Sequence, residues 1–145
     1  LAALAAPYFE EHGIAADRGR LVKVAGLIKD RCTLLSDFYN QGHFFFRTPE
    51  VTEPAAIKDK WNEQKAQFFA SWAGGLAKVE HWNHADIESS FNELAAQYSL
   101  KKGDILLPLR IMLVGGKYGP GVFAIAELIG RDETVKRIRR VIEGL

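Results

Sequence analysis

Apolar residues recur along this chain three and four positions apart, interrupted by glycine, proline and short polar turns. That spacing predicts helices. Leu1, Leu4, Tyr8 and Phe9 form one stripe, which predicts a helix from Leu1 to His12 ended by Gly13. Asp17 to Gly19 reads as a turn. Leu21, Val24, Ala25 and Ile28 make a second stripe. A third helix is expected from Leu34 or Leu35 through Phe46, weakened at Gly42 by roughly 1 kcal/mol relative to alanine. Phe44, Phe45 and Phe46 cannot share one side of it, so at least one should pack across subdomains, with stacking on a base the remote alternative.

Thr48 to Pro54 carries two prolines and no apolar period, and it reads as a link between two helical subdomains, 1–47 and 54–145. Pro54 suits a first helical position, giving a short helix to about Trp61. A longer helix should start at Asn62 with Ala66, Phe69, Ala70, Ala73 and Leu76 inward and a bend at Gly74-Gly75. Asn83 and Asp86 form a capping pattern before the stripe Ile87, Phe91, Leu94, Ala95 and Tyr98. Leu100 to Gly103 reads as a turn. Asp104 to Val114 is a buried helix or, because the run is short, a buried strand. A loop from Gly115 to Gly119 follows. Pro120 should open a helix that ends at Gly130, and Asp132 should cap a last helix running through Ile142. The expected fold is all-α, a helical cage of about eight helices.

Composition supports a packed, water-soluble chain: 145 residues, 48% hydrophobic and 26% charged. With 19 basic and 18 acidic side chains the net charge is +1, which excludes a polybasic coat but permits a local basic face. The lone Cys32 excludes an internal disulfide and a multi-cysteine zinc site, in keeping with a cytoplasmic location. No apolar run is long enough to span a bilayer. Leu1 to Ala6 is apolar but has no basic stretch before it and Glu10 and Glu11 after it, so it is not read as a signal peptide. Without an initiator methionine, the sequence reads as a piece of a longer protein.

No catalytic set stands out. Cys32 and His43 lack a third orienting group, His81 and His84 lack further metal ligands, and no Walker-type phosphate loop occurs. Arg110 is different. It lies among Leu107, Leu109, Ile111, Met112 and Leu113, where an unpaired charge is costly. It must pair inside, for example with Asp104 or Glu127, or meet a ligand. The turn Gly119-Pro120-Gly121 either offers helix N–H groups to an anion or carbonyl, or simply joins two helices. Arg131, Lys136, Arg137, Arg139 and Arg140 crowd the last helix, with Lys101, Lys102 and Lys117 as further cations. They either steer phosphate, with Lys117, Arg137 and Arg140 the candidate contacts, or complement the helix dipole.

Three segments resemble glutamyl-tRNA synthetases: Ile28-Lys29-Asp30-Arg31-Cys32-Thr33-Leu34 with Gly42 to Phe46; Trp82 to Tyr98; and Pro108-Leu109-Arg110 with Gly119-Pro120-Gly121-Val122-Phe123 and Glu127 to Gly130. The resemblance implies an anticodon-binding domain, a cage of helices around the anticodon loop of glutamate tRNA. It implies anticodon contacts by Arg110, Gly119, Pro120 and Val122, and a role for Arg31 at the last anticodon base, where glutamate and glutamine tRNAs part. It further implies that this piece is itself inactive and needs no cofactor. Its parent's catalytic domain would join glutamate to tRNA using ATP and magnesium. The alternatives are the helical cage of a class I lysyl-tRNA synthetase and a helical protein-interaction module with no RNA role.

Overall fold

The computed structural model describes residues 2–15, 17–34, 36–47, 57–58, 61–117 and 119–144. Among these residues the regular structure is entirely helical. In chain order the helices are α1 (Ala2–Glu11), α2 (Arg18–Ile28), α3 (Asp37–Gly42), α4 (Glu63–Gly75), α5 (His84–Gln97), α6 (Lys102–Val114), α7 (Val122–Ile129) and α8 (Arg131–Gly144). Single 3-10 turns extend α2 (Lys29–Arg31), α3 (His43–Phe45) and α4 (Leu76–Lys78). The expected link at Thr48–Pro54 lies outside the described residues, as does most of the short helix expected after it.

Short polar side chains set three helix starts. The Asp17 carboxylate accepts the Arg20 N–H at 2.9 Å, Asn62 accepts Lys65 N–H at 2.8 Å, and Asn83 accepts Asp86 N–H at 2.8 Å. Each such cap is worth about 1 kcal/mol. Asp17 to Gly19 is therefore a helix start rather than a turn. Lys102 and Gly103 likewise already belong to α6. The last helix starts one residue before Asp132, because the Gly130 carbonyl accepts the Thr134 N–H at 3.0 Å. Gly130 has φ +90° and also ends α7, its N–H donating to the Ala126 carbonyl at 3.1 Å. One glycine thus turns the chain between two helices.

The second stripe packs as expected: Leu21, Val24, Ala25 and Ile28 are all buried. In α1 the inward face is Ala5 and Phe9, while Leu4 is 61% exposed. The third helix is shorter than expected. Its first turn forms where the Asp37 carboxylate accepts the Thr33 and Leu34 N–H groups at 2.9 and 3.0 Å. At Gly42 a Cβ would lie 3.0 Å from both Ile28 Cδ1 and Val24 Cγ1. That glycine lets α3 approach α2, whatever it subtracts from helix propensity. In α4 the buried face is Phe68, Phe69, Trp72 and Ala73, with Ala70 outside. Past Gly75 the helix tightens into a 3-10 turn.

Helix α6 runs through the centre. Ile105, Leu109, Ile111, Met112 and Leu113 are fully buried, so it is covered on nearly every side. That coverage erases the apolar period and explains why a strand competed in the sequence reading. Buried side chains from both sides of residues 48–56 form one cluster. Aromatic rings knit its second part, with Phe68 and Trp72 edge-on to Phe91 at 5.3 and 5.1 Å between centroids.

Candidate nucleic-acid interface

Gly115 ends α6 in the left-handed region, φ +91°, its N–H donating to the Ile111 carbonyl at 2.8 Å. The chain loops out and returns through Gly119 and Pro120 to the side of α6 that carries Arg110. There Arg110 Nη1 donates to the Gly119 carbonyl at 2.9 Å and the Pro120 carbonyl at 2.7 Å. The guanidinium pairs with neither Asp104 nor Glu127; Glu127 instead accepts the His84 N–H at 3.0 Å. Burial lowers the Arg110 pKa first, and the nearby Arg31 lowers it further. Arginine still keeps its charge at neutral pH. The two guanidinium groups therefore lie within each other's field beside the bend.

Gly119 is buried and has φ +108°. A Cβ there would sit 3.4 Å from Phe44 Cζ and 3.6 Å from Arg110 Nη1. Backbone conformation thus selects glycine, and its side-chain position is filled by neighbours. Phe44, fully buried, supports the bend from the first part of the chain. The Phe44-Phe45-Phe46 run signalled a side chain packing across the fold, without indicating that the bend is what it supports.

Pro120 is not the first residue of a helix. Gly121 is the cap, its carbonyl accepting the Ile125 N–H at 3.1 Å, and α7 begins at Val122. The unspent N–H groups of that helix start are consequently those of Val122 and its successors. The Val122 side chain is 4% exposed and belongs to the core, which leaves its backbone as the part able to meet a ligand. Arg31 is exposed on the 3-10 turn after α2. Arg110 thus holds the bend at Gly119 and Pro120, Val122 follows two residues on, and the charge of Arg31 is felt at Arg110.

The candidate phosphate contacts do not stay together. Lys117 and Arg140 are exposed, but Arg137 is 1% exposed and is not a phosphate contact. Its Nε donates to Glu133 Oε1 at 2.9 Å and its Nη1 to the Leu113 carbonyl at 2.8 Å. Its Nη2 donates to the Phe44 carbonyl at 2.6 Å, with a longer contact to the Arg47 carbonyl at 3.5 Å. Thr134, Arg137, Ile138 and Val141 form the buried stripe of α8. Arg137 thus ties the end of α6 to the turn that carries Phe44. Lys102, another cation of the sequence reading, pairs with Glu88 at 2.5 Å.

The sequence places Trp82 at the start of a resembling segment but assigns it no role. Its Nε1 donates to the Ala126 carbonyl at 3.0 Å, bracing α7, and the Arg131 guanidinium lies 5.3 Å from its ring centroid. Burial raises the Cys32 thiol pKa, with Asp37 adding to the effect, the reverse of an activated nucleophile. Among the described residues no three His, Cys, Asp or Glu side chains converge to hold a metal, and no helix is long and apolar enough to cross a membrane.

The family model described as "Anticodon binding domain" matches residues 1–142. The chain belongs to the anticodon-binding domain family. It is 31% identical over 136 residues to a glutamate–tRNA ligase of Christiangramia forsetii, covering 94% of this chain and 27% of that protein. It is 30% identical over 145 residues to one of Bacteroides fragilis, covering 100% of this chain and 29% of that protein. The fold matches the crystal structure of a glutamate tRNA ligase from Elizabethkingia meningosepticum in complex with its amino acid. That match has a TM-score of 0.87 and 31% identity over 99% of this chain and 29% of the other. The chain thus spans under a third of the length of these relatives. Within this anticodon-binding domain, the resemblance drawn from three motifs extends over nearly the whole sequence.

Proposed function

We propose that this chain is the tRNA-reading part of a glutamate–tRNA ligase, and that the cleft between Arg31, Arg110 and the bend at Gly119–Val122 takes the anticodon bases. The carrying observation is the pair of hydrogen bonds that Arg110 Nη1 donates to the Gly119 and Pro120 carbonyls, with Arg31 close enough to depress its pKa. Anchoring one nitrogen fixes the plane of the guanidinium. A planar, oriented cation beside the N–H groups of a helix start suits the edge of a splayed base better than a mobile phosphate. Arg31, exposed at the rim, is the candidate reader of the last anticodon base and so of glutamate against glutamine tRNA. Lys117 and Arg140 are candidates for backbone phosphates, which add affinity without sequence information.

The longer enzyme would join glutamate to its tRNA using ATP and magnesium. ATP supplies the activation of the amino-acid carboxylate, and both would be held by a catalytic domain of the same protein outside this chain. The cytoplasm is the compartment where that reaction and an unpaired Cys32 fit together.

Titration of the anticodon stem-loop of glutamate tRNA into this chain tests the reading. Affinity should fall when the anticodon bases are exchanged while the stem is kept. Equal affinity for both loops, or no binding even at low salt, would contradict base reading and favour a protein-interaction module. In the full-length enzyme, Arg31→Gln should narrow the preference for glutamate over glutamine tRNA. An unchanged ratio of charging efficiencies would remove Arg31 from the site.

A further inference from the structure

An open groove of about 740 Å³ lies between α2 and α7, lined by Arg20, Lys23, Leu27, Trp82 and Glu127 among others. Most of its lining comes from the same two helices that border the site just described. Leu27 and Lys23 lie one and two helical turns before Arg31, and Ala124, also in the lining, lies two residues past Val122. Back along α2 from Arg31 to Arg20 the path is on the order of 16 Å.

We infer that this groove holds unpaired nucleotides next to the anticodon triplet, with a base against Trp82 and the connecting phosphate near Lys23. The inference rests on the anticodon reading above. Trp82 is a fixed wall: its Nε1 is tied to the Ala126 carbonyl at 3.0 Å and Arg131 sits 5.3 Å from the ring centroid. Trp82 lines both this groove and a second hollow that Arg131 also borders. Aromatic walls of this kind bind bases by stacking, whatever the sequence.

The charges of the groove are mixed, and the mixture selects a nucleotide over a bare phosphate. Lys23 is exposed, and half-buried Arg20 keeps one nitrogen, Nη1, on the Phe45 carbonyl at 3.1 Å. The two carboxylates already hold main-chain donors: Asp17 the Arg20 N–H, and Glu127 Oε1 the His84 N–H. That reduces their repulsion of a phosphate. The Glu127 side chain is still 41% exposed, and a carboxylate there suits the amino group of a base.

Anticodon stem-loop RNA titrated into the whole 145-residue chain tests the groove. Two loops are compared, one intact and one abasic at the nucleotides flanking the triplet. Trp82→Leu should weaken the intact loop roughly fivefold or more and leave the abasic loop unchanged. Lys23→Gln, on an exposed position, should flatten the plot of log affinity against log salt by about one unit. If Trp82→Leu unfolds by circular dichroism, the unmutated chain decides, because it should bind the abasic loop more weakly than the intact one. Equal affinity of the unmutated chain for both loops, an unaltered Lys23→Gln titration, or a Trp82 effect that survives base removal would overturn the inference. An Arg110→Ala effect that remains in the abasic loop keeps the triplet reading standing by itself. No binding of the intact loop would remove both.

Discussion

Arg110 and Arg137 sit on helices that pack together, and both donate to main-chain carbonyls, yet they form opposite kinds of site. Arg137 is closed. It has a carboxylate partner, carbonyls from two segments of the chain and 1% exposure. Arg110 is half-buried, rests on two carbonyls of one bend, and has another guanidinium, Arg31, as its charged neighbour. Burial alone does not separate a structural arginine from a recognising one. The partners differ: Arg137 holds a carboxylate and carbonyls from two segments, whereas Arg110 holds the carbonyls of the bend within the field of another cation.

The largest effect that would sharpen this contrast is on stability. Arg137→Met should destabilise the fold by about 3 kcal/mol or more, since it strands buried carbonyls and the Glu133 carboxylate together. Arg110→Ala should cost far less in the same urea titration. Comparable losses for both variants would erase the distinction. Gly119→Ala should come next, costing about 1–2 kcal/mol from its positive φ, and should weaken RNA binding by moving the carbonyls that hold Arg110. Unchanged stability and affinity there would show that the bend does not need its left-handed residue.

The smallest effect is a pH dependence on the Arg137 side. Burial lowers the His43 pKa first, followed by the charges of Arg47, Arg137 and His12. Below the ordinary histidine value of about 6.5 the unfolded chain takes up a proton that the folded chain resists. Stability should therefore fall as pH drops from 7 towards 5, and His43→Gln should lessen the slope. Acidification that stabilises the chain would contradict this sign.

Much of the contrast is hidden in the sequence until charge is placed in helical phase. By composition Arg137 belongs with Arg131, Lys136, Arg139 and Arg140, open to phosphate or to the helix dipole, although Thr134, Ile138 and Val141 place it on the inward stripe. Glu133, four residues earlier, was the available sign of a pair. Arg110 was legible for the reason that Arg137 was not: its apolar neighbours made a charge conspicuous. The α2 stripe and the Asn83 cap were also legible, being local. The start of α7 was not. Pro120 fits a first helical turn by its ring, but Gly121 supplies the capping carbonyl, and that depends on how the bend meets Arg110 and Phe44. Likewise Gly42 looked like a weak point until α2 lay against it.

The most direct test is the affinity of Arg110→Ala for the anticodon stem-loop of glutamate tRNA, at fixed salt and with the fold confirmed by circular dichroism. The account predicts binding weaker by roughly 1–3 kcal/mol, with the loss confined to loops that carry the cognate anticodon. Wild-type affinity in the variant, or an equal loss for every loop, would contradict it.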